Sequence, residues 1–295
     1  MSAAPELRVG VIGYGVMGKA HCYAYRIAPM LRTLPVTPVV SVMSGRSRAG
    51  VEAAAAAYGV PACTTDWRGL IARDDIAIVD ICTPPGTHAE MAQAAAAAGK
   101  AVLCEKPLAL SYPEAAGALA AVDRAGVRNA VGFNYRRLPA VALMHRMVGE
   151  GAVGEVRLWR ATWLSDEFTD PDTPFDWRFD RAMGGTTMVF DYARLNELRY
   201  GRADDEPGLY GMRRIRAEHP SHPYAADWWP LGQGVGYGSS FGNQVADLLE
   251  GWPDAPWSPG FRQGAAVQAV CDAMEASAAQ GRWVAVTEVT EAGPG

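Results

Sequence analysis

Val9-Gly10-Val11-Ile12-Gly13-Tyr14-Gly15-Val16-Met17-Gly18 is an apolar run that ends in three glycines spaced G-x-G-x-x-G and opens a helical pattern. The spacing has a geometric meaning. Gly13 allows a tight turn out of a strand, Gly15 lets a pyrophosphate approach the backbone, and Gly18 permits close packing of helix against strand. Phosphate oxygens then meet the free N–H groups of a helix N-terminus. Alone, such a motif also fits a glycine turn with no nucleotide, so its weight comes from what surrounds it.

The surroundings repeat one unit. Leu7 to Ile12, Val39 to Met43, Ile76 to Cys82, Ala101 to Cys104 and Asn129 to Val131 are short apolar runs, and the segments between them carry helical spacing or are rich in alanine. That alternation predicts a doubly wound parallel sheet covered on both faces, a Rossmann domain over residues 1–132. Ser111-Tyr112-Pro113-Glu114 has the form of a capping box with proline in the first turn, which predicts a helix to about Ala125.

After Phe133 the texture changes, and residues 133–295 are expected to form a second, α+β domain. Pro139 to Glu150 predicts a helix, and the alternation of Val156 to Leu164 a strand of a sheet with one polar face. Asp166 to Arg181 and Pro220 to Gly238 are expected as ordered loops over a pocket. Asn243 to Leu249 and Gln263 to Ala279 predict helices, and Trp283 to Val286 a closing strand.

Composition narrows the function classes. The 295 residues carry a formal net charge of −5, with no basic surplus to neutralise phosphates, so nucleic acid is not expected as a partner. No apolar run approaches the length of a membrane span, and the start has no signal-peptide character, so a soluble cytoplasmic protein is expected. Cys22, Cys63, Cys82, Cys104 and Cys271 are odd in number and contain no Cys-x-x-Cys pair, which predicts buried free thiols with neither disulfides nor a metal site.

Ligands of such sheets bind beyond the carboxyl ends of the strands, so the residues that follow each strand are the candidates. At the end of the second strand the usual acidic ribose partner is missing and Ser44-Gly45-Arg46-Ser47-Arg48 stands there. Arginine with hydroxyl donors accommodates a 2′-phosphate, so NADP is favoured over NAD; alternatively Arg46 stacks on adenine and discriminates nothing. Thr83-Pro84-Pro85-Gly86-Thr87-His88 and Glu105-Lys106-Pro107 follow two later strands. With Lys19 and Lys100 as its only companions in an arginine-rich chain, Lys106 is the candidate to assist the proton that leaves a hydroxyl as its carbon gives up hydride. It is expected to be partly buried. His88 is expected to bind cofactor, as a pocket or helix-capping residue rather than a base.

Taken together, Gly13 to Gly18, Thr83-Pro84-Pro85 with His88, Glu105-Lys106-Pro107 and Gly132-Phe133-Asn134-Tyr135-Arg136-Arg137 resemble the Gfo/Idh/MocA oxidoreductases. Trp177-Arg178-Phe179 and the segments from Asp227-Trp228-Trp229-Pro230 to Trp283-Val284 look most similar to levoglucosan and inositol dehydrogenase-like members. The resemblance implies a C-terminal domain with an open, mostly antiparallel sheet, and an NAD(P)-dependent dehydrogenase or reductase acting on a secondary hydroxyl of a sugar, anhydrosugar or cyclitol. It implies that Lys106 touches the reacting hydroxyl and that Glu105 and Pro107 shape the nicotinamide site. Asn134, Tyr135 and Arg137, with Trp177 and Arg178, would bind the sugar. A homo-oligomer, dimer or tetramer, through the open sheet face is also implied.

One departure stands out. Similar members carry an Asp-x-x-x-His segment after a glycine pair like Gly184-Gly185, and its histidine works with the lysine. Here the pair runs into Thr186-Thr187-Met188-Val189-Phe190-Asp191, which resembles a later strand of the family fold. About 70 to 100 residues would be absent near 184–187 at usual element lengths. Either the chain has lost them or the sequence as printed omits them. The alternative to a working enzyme is therefore a family member that binds cofactor but is catalytically impaired.

Overall fold

The computed structural model describes residues 4–152, 154, 195–200, 213–228 and 234–291. Six parallel strands form one sheet: β1 (Glu6–Ile12), β2 (Thr37–Ser44), β3 (Cys63–Thr64), β4 (Ile78–Ile81), β5 (Ala101–Cys104) and β6 (Asn129–Val131). Their order is β3-β2-β1-β4-β5-β6, which reverses between β1 and β4. The crevice at that reversal is where a doubly wound sheet binds its ligand. β3, two residues long, is the strand that sequence periodicity does not reveal.

Helices α1 (Val16–Leu31), α2 (Arg48–Tyr58), α3 (Trp67–Ile71), α4 (His88–Ala97) and α5 (Tyr112–Ala125) connect the strands. Their ends have local causes. Ser47 caps α2 by accepting the Gly50 N–H, and Gly59 ends it at φ +59°. Ser111 accepts the Glu114 N–H at the start of α5, but Glu114 takes the Leu110 N–H, one residue earlier than the expected box. Alanine faces let these helices approach closely: Ala92, Ala95, Ala96, Ala115 and Ala118 share a core with Val79, Ile81, Val102 and Leu108. Each fully buried Val, Leu or Ile there stabilises by about 1.5–3 kcal/mol.

The division of the chain differs from the sequence expectation of 1–132 and 133–295. Ala246–Gly295 groups with the N-terminal residues up to Phe133, and the described residues from Asn134 to Val245 form the second compact unit. The reason is the edge of the sheet. Pro259 accepts the Val131 N–H, Asn129 Oδ1 accepts the Phe261 N–H at 2.7 Å, and Phe261 and Ala265 enter the sheet's core. The C-terminal segment thus covers the exposed edge of β6.

Within the second unit α6 (Pro139–Gly149) packs on an antiparallel pair, β7 (Glu197–Tyr200) and β8 (Arg213–Arg216). Ala140, Leu143 and Ala217 form a small core with Met147, Leu198 and Ile215. Helix α7 (Tyr237–Glu250) begins six residues before the expected Asn243, inside the expected loop, because Tyr237 and Phe241 pack edge to face and Phe241 is buried. Helix α8 (Phe261–Gln280) extends the expected helix at both ends. Trp283 to Val286 is not a strand. Trp283 is 95% exposed, and Glu288 accepts the Ala285 N–H, which opens a short helix α9 (Val286–Glu291). The expected strand Val156 to Leu164 and loop Asp166 to Arg181 lie outside the described residues, as does the junction near 184–187.

Candidate active site

The glycine turn has the conformation its spacing demands. Gly13 sits at φ +110°, and a Cβ there would lie 2.5 Å from the Cys82 carbonyl oxygen, so the turn is pressed against the end of β4. The Gly13 N–H donates to the Ser44 carbonyl (2.8 Å), which ties the turn to β2 as well. A Cβ on Gly18 would stand 2.2 Å from the Gly13 oxygen, whereas one on Gly15 would meet nothing within 4 Å. Gly13 and Gly18 are thus glycines for the protein's own packing. Gly15 faces open space at the N-cap of α1, beside the exposed Val16 and half-buried Met17. An open helix N-terminus of this kind suits an anion against its N–H groups.

Tyr14 reaches sideways. Its ring covers Gly45 and Gly50, where a Cβ would lie 2.1 and 2.7 Å away, and its carbonyl accepts the Tyr58 hydroxyl (3.2 Å). Ser44 at the end of β2 is 1% exposed, so its hydroxyl is not presented to a ligand as the sequence suggests; it contributes its carbonyl to the turn. Arg46, Ser47 and Arg48 are exposed at the N-terminus of α2, where Arg48 Nε lies 3.8 Å from Glu52 Oε1 one turn on. The group is suited to an anion.

Lys106 stands one residue beyond Glu105 at the end of β5, and it is exposed rather than partly buried. What is buried is its support. Glu105 is 3% exposed, and its Oε2 accepts the Lys106 backbone N–H at 3.1 Å. Its Oε1 lies 3.0 Å from Nε2 of His21, whose Nδ1 lies 2.8 and 3.0 Å from the two oxygens of Asp80. Both ring nitrogens face carboxylates, which can only accept, so His21 donates from both as an imidazolium. Burial, the largest single effect, opposes that charge, but the Asp80 carboxylate together with Cys82 holds the His21 pKa well above the usual imidazole value. Burial likewise pushes Glu105 up, and His21 with Lys106 brings it below the usual carboxylate range.

A second imidazole holds the other side of this turn. His88 is fully buried, with Nδ1 2.7 Å from the Pro107 carbonyl and Nε2 2.7 Å from the Thr83 carbonyl. Burial keeps its pKa below the usual imidazole value, so the neutral ring has one N–H and donates to one of these two carbonyls. It neither caps α4 through its side chain nor offers a ring nitrogen to a cofactor, and it fills the space between the end of β4 and the turn after β5. Thr83 and Pro84 are half-buried at the mouth, the Thr83 hydroxyl 2.8 Å from that of Thr87.

In the second unit Asn134 to Arg137 form one turn of 3-10 helix. Asn134 and Arg137 are buried there; Asn134 Nδ2 donates to Ser240 (2.7 Å), and the Arg137 carbonyl accepts from Asn243 (3.0 Å). The Tyr135 ring, half-buried, stands 5.4 Å from that of Tyr237. Trp177 and Arg178 lie outside the described residues.

His21 and Asp80 are the site residues the sequence reading passed over. Their signal was present: Asp80 interrupts an otherwise apolar parallel strand, and a carboxylate in such a strand requires a partner. Donor atoms of His21, Asp80 and Cys82 lie within 4.8 Å of one another, but these groups are bonded among themselves and both His21 nitrogens are taken. The buried thiols are inert, with burial raising Cys22 to about 11 and pushing Cys82 and Cys104 up as well.

Comparison with known proteins agrees with this geometry. Residues 7–133 match the oxidoreductase family described as having an NAD-binding Rossmann fold. The levoglucosan dehydrogenase of Pseudarthrobacter phenanthrenivorans is 29% identical over an alignment of 388 positions that takes in 97% of this chain and 99% of the relative. Such an alignment leaves about a hundred of those positions with no residue of this 295-residue chain. A solved levoglucosan dehydrogenase in complex with NADH and levoglucosan is 31% identical, with a TM-score of 0.89 over 95% of this chain and 99% of that one. An oxidoreductase domain protein from Kribbella flavida is 34% identical, with the same TM-score over 95% and 98%. A glycine turn at the sheet's reversal, a lysine on a buried glutamate at a neighbouring strand end, and these matches place the chain in the Gfo/Idh/MocA family of NAD-binding oxidoreductases.

Proposed function

We propose that this NAD(P)-dependent oxidoreductase moves a hydride between its nicotinamide cofactor and a secondary hydroxyl or keto group of a sugar, anhydrosugar or cyclitol. The observation that carries the reading is Lys106 itself, an exposed amine whose backbone is held by a buried glutamate at the strand-end side of the sheet where the glycine turn lies. The bound nicotinamide supplies the hydride acceptor or donor. Lys106 takes the proton from the alcohol during oxidation and returns it during reduction. In the second unit Tyr135, beside Tyr237, and the buried Asn134 and Arg137 are proposed as sugar-binding groups.

For the cofactor, Arg46, Ser47 and Arg48 around the start of α2 support NADP over NAD, since a 2′-phosphate needs cations and N–H donors where NAD enzymes place a carboxylate. Five free thiols support a reducing compartment, the cytoplasm. Among the described residues no helix is long and apolar enough to cross a membrane. A homo-oligomer, dimer or tetramer, is proposed as in part the cover for the family's open sheet.

A second reading, a family member that binds dinucleotide with impaired catalysis, is favoured by the hundred or so relative positions that lack a counterpart here. One experiment separates the two. The chain is assayed with NAD and NADP against a panel of sugars, anhydrosugars and cyclitols, beside cofactor fluorescence titration of the wild type and Lys106→Ala. Turnover by the wild type that Lys106→Ala abolishes, with cofactor affinity kept, supports the enzyme; binding without turnover by either supports the second reading.

A further inference from the structure

His21 has a position that the proposed chemistry does not use. It lies on α1, one turn beyond Gly18, yet its ring points under the sheet's carboxyl edge and joins Asp80 on β4 to Glu105 after β5. All three side chains are sealed, at 1%, 0% and 3% exposure. Near the trio stand Cys22 and Arg26 of α1, Cys82 just past β4 and Cys104 of β5, with Tyr25 beside Asp80 and the Lys106 ammonium acting on Glu105. Two carboxylates against one imidazolium leave the buried trio with one net negative charge, an arrangement that costs folding free energy unless every contact is kept. Such a group persists where it fixes something. The atom it fixes is on the page: Glu105 gives one oxygen to His21 and the other to the Lys106 N–H.

We propose that His21 is a positioning residue, which locks the Glu105 carboxylate between α1 and β4 so that its free edge sets the backbone, and hence the reach, of Lys106. This rests on the role given to Lys106 above. The consequence is a link between the two halves of the site through one helix: α1 carries the phosphate turn at its start and the lock for the lysine one turn later. Misplacing a reacting group by about 1 Å costs on the order of a hundredfold in rate.

Replacing His21 alone would strand two buried carboxylates, so the informative variants are Asp80→Asn and the double variant His21→Gln with Asp80→Asn. In Asp80→Asn a neutral His21 accepts from the new amide and still donates Nε2–H to Glu105, so kcat is expected to fall less than in the double variant. In the double variant the surplus charge is gone, so the fold is kept while Glu105 loses its rigid donor; kcat is expected to fall ~10–100-fold with cofactor KM unchanged. Amide hydrogen exchange at Lys106 needs no turnover, and it should quicken in the double variant only. Wild-type kcat together with unchanged Lys106 protection in the double variant would overturn the proposal, as would an equal loss of kcat in Asp80→Asn. A wild type that turns over no sugar would count against the oxidoreductase reading, and the exchange measurement would then still judge the lock.

Discussion

Gly132 and Glu105 are so close that a Cβ on Gly132 would lie 2.6 Å from Glu105 Oε1, the same oxygen that meets His21. Gly132 is therefore a glycine because the carboxylate occupies the space beside it. Gly132→Ala is expected to push Glu105 off its imidazole, lowering stability by about 1–3 kcal/mol as overpacking does. Urea denaturation measures the loss, and a variant as stable as the wild type would show that the carboxylate has room to move.

The two later glycines of the first turn should separate. Gly15→Ala meets no protein atom within 4 Å, so its Tm is expected to match the wild type while NAD(P)H affinity falls about tenfold, roughly 1.4 kcal/mol. Gly18→Ala drives a Cβ into the Gly13 carbonyl, 2.2 Å away, so stability and affinity should fall together. Thermal melts beside fluorescence titrations distinguish these outcomes; equal melting loss in both variants would contradict them.

The buried trio makes stability depend on pH in a known direction. His21 has its pKa raised on folding, so its contribution is complete below about pH 6.5 and is lost as pH rises through the folded value. Glu105 has its pKa lowered, so its contribution is present above the ordinary glutamate value and is lost as pH falls through the folded one. Between pH 6.5 and 8.5 the wild type should lose up to about 1.4 kcal/mol per pH unit relative to the His21→Gln, Asp80→Asn double variant. The buried thiols, with Cys22 near 11, titrate above this window and are present in both proteins. Parallel stability curves would show that His21 is not charged.

Arg46→Ala should weaken NADPH binding more than NADH binding, because only the first carries the 2′-phosphate that an exposed guanidinium would meet. The expected gap is about tenfold, read by fluorescence titration at fixed ionic strength. Equal loss for both cofactors would favour stacking on adenine.

Much of the Rossmann unit was legible because buried parallel strands are continuous apolar runs and the Gly13 to Gly18 spacing belongs to one kind of turn. What escaped has physical causes. β3 is two residues long, too short for periodicity to register. Val284 and Val286 have strand propensity, but Glu288 supplies a local acceptor that closes a helical turn instead. The C-terminal segment joined the first unit through Pro259 and Phe261 at β6, a long-range pairing that local sequence does not encode. At the site Lys106 was legible from its place after a strand. His88 was visible as a residue but its place was not, since the two carbonyls that flank its ring lie 5 and 19 residues away. The Ser44 hydroxyl is visible in sequence, whereas its burial at the end of β2 is visible only in the fold.

The most direct test is hydride transfer itself, followed with a sugar or cyclitol substrate deuterated at the carbinol carbon. The wild type should carry the deuterium into the reduced cofactor, and Lys106→Ala should bind that cofactor equally well while transferring about 10²–10⁴-fold more slowly. Deuterium lost to solvent, or transfer by Lys106→Ala at the wild-type rate, would contradict the account.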